Sequence, residues 1–131
     1  MASDSGQLAD FLERFKDLPG FDVEDTLRRL EGDWEMFVEF VGEYRTEFST
    51  FFDDFRGVLD AGDLETARRN AHSLKGAAGN IGAVNLQAAA KALEDACKER
   101  DVPEIRSQLE SVEAAFSEMS RSADLLTGGG S

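Results

Sequence analysis

The sequence has few of the residues that form disulfides and metal sites. It contains one cysteine, Cys97, and one histidine, His72, among 131 residues. A single cysteine excludes an intrachain disulfide, and the apolar helical pattern around Cys97 predicts a small buried residue. One histidine and one distant cysteine do not match any zinc-binding pattern, so no metal site is predicted.

Basic residues are also few, since 14 Lys and Arg stand against 27 Asp and Glu and the net charge is -13. Nucleic acids and anionic membranes are bound through Lys and Arg, so this charge argues against both as partners. No apolar run approaches the roughly 20 residues of a membrane span. The N-terminal residues lack the basic and apolar regions of a signal peptide. We therefore expect a cytoplasmic protein without direct membrane contact.

Proline is scarce too, with only Pro19 and Pro103 in the chain, and the long segments between turn signals favour helix. Apolar residues recur at alternating spacings of 3 and 4 in these segments, which indicates helices with one buried seam. The helices are predicted over about residues 7–18, 23–30, 33–58, 64–81, 86–97 and 103–126.

Four long amphipathic helices with short connections pack as antiparallel neighbours. The predicted fold is all-α: an antiparallel up-down-up-down four-helix bundle with one or two short N-terminal covering helices. The length predicts one domain, residues 1–126, with its bundle core at about 33–126. Residues 127–131 are predicted to be a flexible Gly-rich tail.

His72 lies on the outer side of its predicted helix, about 130° from the centre of the apolar seam. Segment 63–82 has three basic and two acidic side chains, so it is weakly positive in an acidic chain. Such a patch favours an anionic ligand, for example a phosphoryl group. Glycine on this face gives a partner clearance or allows close helix packing, and both explanations stay open. The residues within about 60° of His72 are Glu65, Arg68, Arg69, Lys75, Gly76 and Gly79.

The run from His72 to Ala83, HSLKGAAGNIGA, closely resembles the signature of histidine-containing phosphotransfer (HPt) domains of two-component phosphorelays. The resemblance covers about residues 18–125. Its other matching positions are Pro19, Gly20, Phe21, Asp22, residues 27–33, residues 61–63, Leu86, Ala90, Leu93 and Glu94.

The resemblance implies that His72 accepts a phosphoryl group on Nε2 from the aspartyl phosphate of a receiver domain and passes it to another receiver. It implies that Lys75 stabilises the phosphoryl oxygens and that Gly76 gives the receiver access. The residues expected to contact the partner are Arg68, Arg69 and Gly79.

The resemblance also implies that the chain has no cofactor of its own, because the receiver supplies Mg²⁺. The expected partners are response-regulator receiver domains and a hybrid sensor histidine kinase. Two arrangements stay open: the chain is the C-terminal domain of such a kinase, which is itself membrane-bound, or it is a free-standing protein. The resemblance implies a monomer. We expect no kinase activity, since no nucleotide-binding motif is present. Two alternatives stay open: the phosphoacceptor domain of a chemotaxis-type kinase, and an acidic helical adaptor that transfers no phosphate.

Overall fold

A computed structural model describes residues 4–128, and side chains from residue 6 onward. That part of the chain contains seven helices and no strand, so the predicted all-α fold is confirmed. None of these helices is long and apolar enough to cross a membrane. The helices are α1 (Asp4–Phe15), α2 (Val23–Arg29), α3 (Trp34–Glu47), α4 (Phe51–Asp60), α5 (Leu64–Asn80), α6 (Val84–Lys98) and α7 (Val102–Thr127).

Four of the helices begin at an aspartate whose carboxylate accepts a hydrogen bond from a backbone N–H three residues later. Each bond satisfies one of the amide groups that a helix start leaves without a partner, which contributes about 1 kcal/mol. Two of these residues, Asp33 and Asp63, mark starts that the sequence predicts. The donor–acceptor distances are 3.0–3.2 Å, for Asp22, Asp33, Asp63 and Asp101.

The bundle has four arms, and α3 together with α4 forms the first of them. This arm contacts α7 through α3 and α5 through α4, while α6 packs against both α5 and α7. Helices α1 and α2 cover the end near α3, so the predicted four-helix bundle with N-terminal covering helices is confirmed. Each arm contributes large side chains that are fully buried in the core: Phe37, Phe55, Leu74, Leu93 and Ile105.

The prediction of one continuous helix over residues 33–58 is wrong, because the helix breaks at residues 48–50. The Ser49 hydroxyl donates to the Thr46 carbonyl at 2.8 Å, and the Ser49 amide bonds to the same carbonyl at 3.2 Å. Side-chain hydroxyls that bond locally compete with the regular helical ladder. The break also shifts the buried seam, so that Leu59 rather than Val58 reaches the core.

The C-terminal end of the bundle lies close to its predicted position. Helix α7 continues to Thr127 and ends at Gly128, whose φ of 68° is in the left-handed region that glycine adopts easily. Of the predicted tail, residues 129–131 lie outside the described residues.

Candidate functional site

Helix α5 places His72 on the surface of the bundle. The buried seam of α5 includes Ala67, Ala71, Leu74 and Ala78. His72 directly follows Ala71 and lies outside this seam. The imidazole side chain is 61 % exposed. The sequence-based expectation of an outward-facing histidine is therefore met.

A buried carboxylate on the neighbouring helix α6 holds the inner side of the imidazole. Glu94 is only 2 % exposed. Its Oε2 lies 2.9 Å from Nδ1 of His72, and its Oε1 lies 2.9 Å from Nζ of Lys75. One carboxylate thus fixes two side chains that stand one helical turn apart on α5.

This contact determines which ring nitrogen of His72 is nucleophilic. An ionised carboxylate only accepts hydrogen bonds, so Nδ1 must carry the proton and donate it to Glu94. In the neutral ring the other nitrogen, Nε2, then has the lone pair. No side chain that the structure describes makes a hydrogen bond to Nε2. The nitrogen with the lone pair therefore belongs to a side chain that is 61 % exposed and has no competing side-chain partner within the described residues.

The surroundings of Glu94 keep it ionised although it is buried. Burial by itself raises the pKa of the carboxyl group. Hydrogen bonds from Lys75 and His72, together with the charge of Lys75, outweigh this effect and hold the pKa of Glu94 below its usual value. A charge-assisted hydrogen bond to Nδ1 is therefore present at neutral pH.

Lys75 is positioned by the site and does not extend freely into solvent. Its side chain is 27 % exposed and its ammonium group binds Glu94. Because Lys75 follows His72 by three residues, it lies on the same helical face. The lysine is thus held on the same carboxylate as the imidazole. Its role in stabilising a phosphoryl group stays a prediction.

The two glycines of this face differ in their surroundings. A Cβ atom on Gly76 would meet nothing within 4 Å, so the surface next to His72 is open there. A Cβ atom on Gly79 would lie 2.6 Å from Nε2 of Gln87. The Gly79 carbonyl also accepts a hydrogen bond from Arg29 of α2, at 3.2 Å. The surface at Gly76 is therefore open, whereas a side chain at Gly79 would require the flexible end of Gln87 to move.

The two arginines of α5 bind side chains of their own helix. Arg68 donates two hydrogen bonds to Glu65, at 3.1 and 2.5 Å. Arg69 donates to the Thr66 hydroxyl at 3.2 Å. The role of Arg68 and Arg69 as partner contacts, like that of Gly79, stays a prediction.

Cys97 lies near the site, but its thiol has low reactivity. It is 2 % exposed, as predicted for a small core residue. Burial, with a further effect from the Glu94 charge, raises the pKa of its thiol to about 11. The thiolate that would react is therefore scarce at neutral pH.

Glu94 is the site residue that sequence reasoning did not identify as functional. Its position in the pattern carried a signal, because Ala90 and Cys97 are buried four residues before and three residues after it. An acidic residue on such a buried stripe needs a cationic or hydrogen-bonding partner. His72 and Lys75 are those partners.

Comparison with known proteins adds to this geometry. The family model described as Hpt domain matches residues 34–122, which is more than half of the chain. This chain belongs to the Hpt domain family. The match includes His72, Lys75 and Glu94 but not α1 and α2.

A solved structure resembles the Hpt chain over nearly its whole length. It is a protein from rice described as a histidine-containing phosphotransfer protein, and it superimposes with a TM-score of 0.74 at 16% identity. The match covers 95% of this chain and 91% of the rice protein. At this identity the likeness establishes the shared fold. No curated protein matches the chain.

Proposed function

We propose that this Hpt domain is a phosphorelay intermediate in which His72 receives a phosphoryl group from one receiver domain and passes it to another. Hpt domains work with response-regulator receiver domains. The observation that carries the proposal is the exposed imidazole whose Nδ1 is bound by the buried Glu94 carboxylate. This arrangement directs the lone pair of Nε2 toward an incoming partner.

In the transfer step, Nε2 of His72 attacks the phosphorus of an aspartyl phosphate. The P–O bond to the aspartate breaks, its electron pair stays on the leaving carboxylate, and a P–N bond forms. The ring gains positive charge because Nδ1 keeps its proton. Glu94 offsets that charge at 2.9 Å, so it stabilises the transition state more than the neutral ground state. Transfer to the next receiver reverses these changes.

Lys75 and Gly76 complete the site in this proposal. The ammonium group of Lys75 shares the Glu94 carboxylate with His72, and from this position it offsets the negative charge of the phosphoryl oxygens. The open surface at Gly76 lets the receiver approach the imidazole. The receiver supplies Mg²⁺, and this chain contributes no cofactor.

The partners proposed are two receiver domains, of which one belongs to a hybrid sensor histidine kinase. The chain acts as a monomer in the cytoplasm. Arg68 and Arg69 contribute positive charge near the docking surface and attract acidic groups of the partner over a distance of about 10 Å, Arg68 less strongly because it is paired with Glu65. Their substitution should therefore weaken binding more at low salt than at high salt.

The direct test is phosphotransfer from a radiolabelled phospho-receiver in the presence of Mg²⁺, with His72→Gln beside the unmodified protein. The expected label is acid-labile and alkali-stable, and it is missing in the variant. Label that persists in His72→Gln would refute the assignment of the acceptor.

Two further measurements distinguish the alternatives. Label that arises only from ATP and the catalytic domain of a chemotaxis-type kinase would indicate a kinase phosphoacceptor domain. If neither source gives label and His72→Gln keeps its biological activity, the chain is an adaptor that binds without transfer.

A further inference from the structure

Glu94 has more cationic partners than its single charge requires. In addition to Lys75 at 2.9 Å, the ammonium group of Lys98 lies 3.8 Å from its Oε2. Lys98 reaches Glu94 from one turn further along α6, the spacing at which helical side chains meet. The next acidic residue of α6, Asp95, is already bound by Lys91 at 3.0 Å.

The two lysines are placed for different tasks. Lys75 is on α5 with His72 and is 27 % exposed, whereas Lys98 is on α6 beyond Glu94 and is 53 % exposed. Lys75 is therefore beside the group that becomes phosphorylated, and Lys98 is beside the carboxylate that orients it. The other groups that face Glu94 are His72, the thiol of Cys97 and the guanidinium of Arg68, which is bound to Glu65.

Phosphorylation changes the charge balance of this cluster. A phosphoryl group on Nε2 adds about two negative charges within reach of Lys75. Its ammonium group is then drawn toward the phosphoryl oxygens and away from Glu94. Glu94, which is 2 % exposed, then keeps the protonated ring as the partner of Oε2 but loses the cation that balanced it at Oε1. An incompletely paired buried charge is costly, so a second cation nearby stabilises the carboxylate. Lys98 needs to move only about 1 Å to reach an ordinary charge-assisted contact of about 2.8 Å.

We propose that Lys98 is a positioning residue of the phosphorylated site, which replaces Lys75 on Glu94 and so keeps the carboxylate bound to Nδ1 of His72. The inference rests on the proposed phosphorylation of His72. It gives the two lysines successive roles: Lys75 binds Glu94 in the resting protein, and Lys98 does so while the phosphoryl group is present.

The test compares Lys98→Met with the matched control Lys91→Met, which removes the same charge from the exposed side of the same helix. Each protein is phosphorylated with phosphoramidate, a donor that needs no receiver. The ¹⁵N resonance of Nδ1 in the phosphohistidine is then followed with pH, from neutral to alkaline, where phosphohistidine persists. It reports the pH at which Nδ1 loses its proton.

The two explanations of Lys98 predict opposite shifts. If Lys98 holds Glu94 in place, its loss frees the carboxylate from Nδ1 and the midpoint falls by about one pH unit, the scale of a contacting opposite charge. If Lys98 is only a nearby positive charge, its loss raises the midpoint. We expect the fall in Lys98→Met, a midpoint close to the wild type in Lys91→Met, and recovery in Lys98→Arg.

An unchanged or raised midpoint in Lys98→Met would overturn the proposal. Urea unfolding checks that the variant is folded, which its exposed position favours. A wild-type protein that acquires no phosphohistidine from phosphoramidate or from phospho-receivers would refute the proposed function as well. Normal phosphorylation of the wild type with an unaltered Lys98→Met titration would refute the role of Lys98 alone.

Discussion

Glu94→Gln is the substitution that tests the site most directly. It keeps the size of the side chain and removes the charge. The glutamine amide is able to turn its NH₂ group toward Nδ1, which would favour the tautomer with the proton on Nε2. Nucleophilic attack by Nε2 requires the opposite tautomer, so the variant weakens catalysis in two ways: the wrong tautomer gains stability and the developing ring charge loses its counter-charge.

The magnitude follows from the single bond at 2.9 Å between Oε2 and Nδ1. A hydrogen bond to a charged group contributes about 1.5–3 kcal/mol. If that contribution acts in the transition state, the transfer rate falls about 10- to 100-fold. Folding should change far less, because His72 and Lys75 are both partly exposed and turn to water when the carboxylate is lost.

The assay measures the rate of phosphorylation by a phospho-receiver, together with the urea midpoint. Asp95→Asn is the matched control, since it makes the same chemical change at the next residue of the helix, whose side chain is about half-exposed. A Glu94→Gln protein that is folded and transfers within about twofold of the wild type would refute the reasoning, since the loss of even a weak charged hydrogen bond predicts more.

Three more predictions concern access, pH and packing. Gly76→Gln should leave the urea midpoint nearly unchanged but slow transfer from a receiver more than phosphorylation by phosphoramidate, because it blocks only the larger partner; equal slowing with both donors would contradict this. Folding lowers the pKa of Glu94. Its ionisation therefore stabilises the fold at pH values above the unfolded pKa of about 4.3, and this contribution is lost as the pH falls through the folded pKa. Urea midpoints should accordingly fall less steeply below about pH 5 in Glu94→Gln than in the wild type. Gly82→Ala should lower the free energy of unfolding in urea by about 1–3 kcal/mol, because the φ of residue 82 is 71° and the new Cβ would overlap the Thr26 hydroxyl. An unfolding midpoint like that of the wild type would show that α2 moves aside easily.

Most of the fold follows from short-range patterns in the sequence. Apolar spacings of 3 and 4 predict the arms of the bundle, and Asp33 and Asp63 predict two helix starts. The break between α3 and α4 was missed because apolar periodicity continues across it, while the cause is local bonding of Ser49 to the Thr46 carbonyl. Periodicity measures where side chains point and does not record competition for a backbone carbonyl.

The arrangement of the candidate site is also only partly predictable from the sequence. The exposure of His72 follows from its angle on one helix, and so does the shared face of Lys75 and Gly76. The hydrogen bond between His72 and Glu94 depends on the register between α5 and α6. Packing sets this register, so the sequence of neither helix alone predicts it. The position of Gln87 next to Gly79 has the same origin. For this reason the sequence predicts the exposed position of His72 but not its contact with Glu94.

Small residues are what bring the two helices of the site together. Alanines are buried on both helices, with Ala67 and Ala71 on α5 and Ala90 on α6. Such short side chains allow close approach of the helix backbones, so a glutamate that starts on the buried side of α6 reaches a histidine on the outer side of α5. A larger residue at Ala71 would separate the helices and lengthen the contact between Glu94 and His72. The small buried side chains therefore contribute to the site, because the contact between Glu94 and His72 depends on how closely α5 and α6 pack.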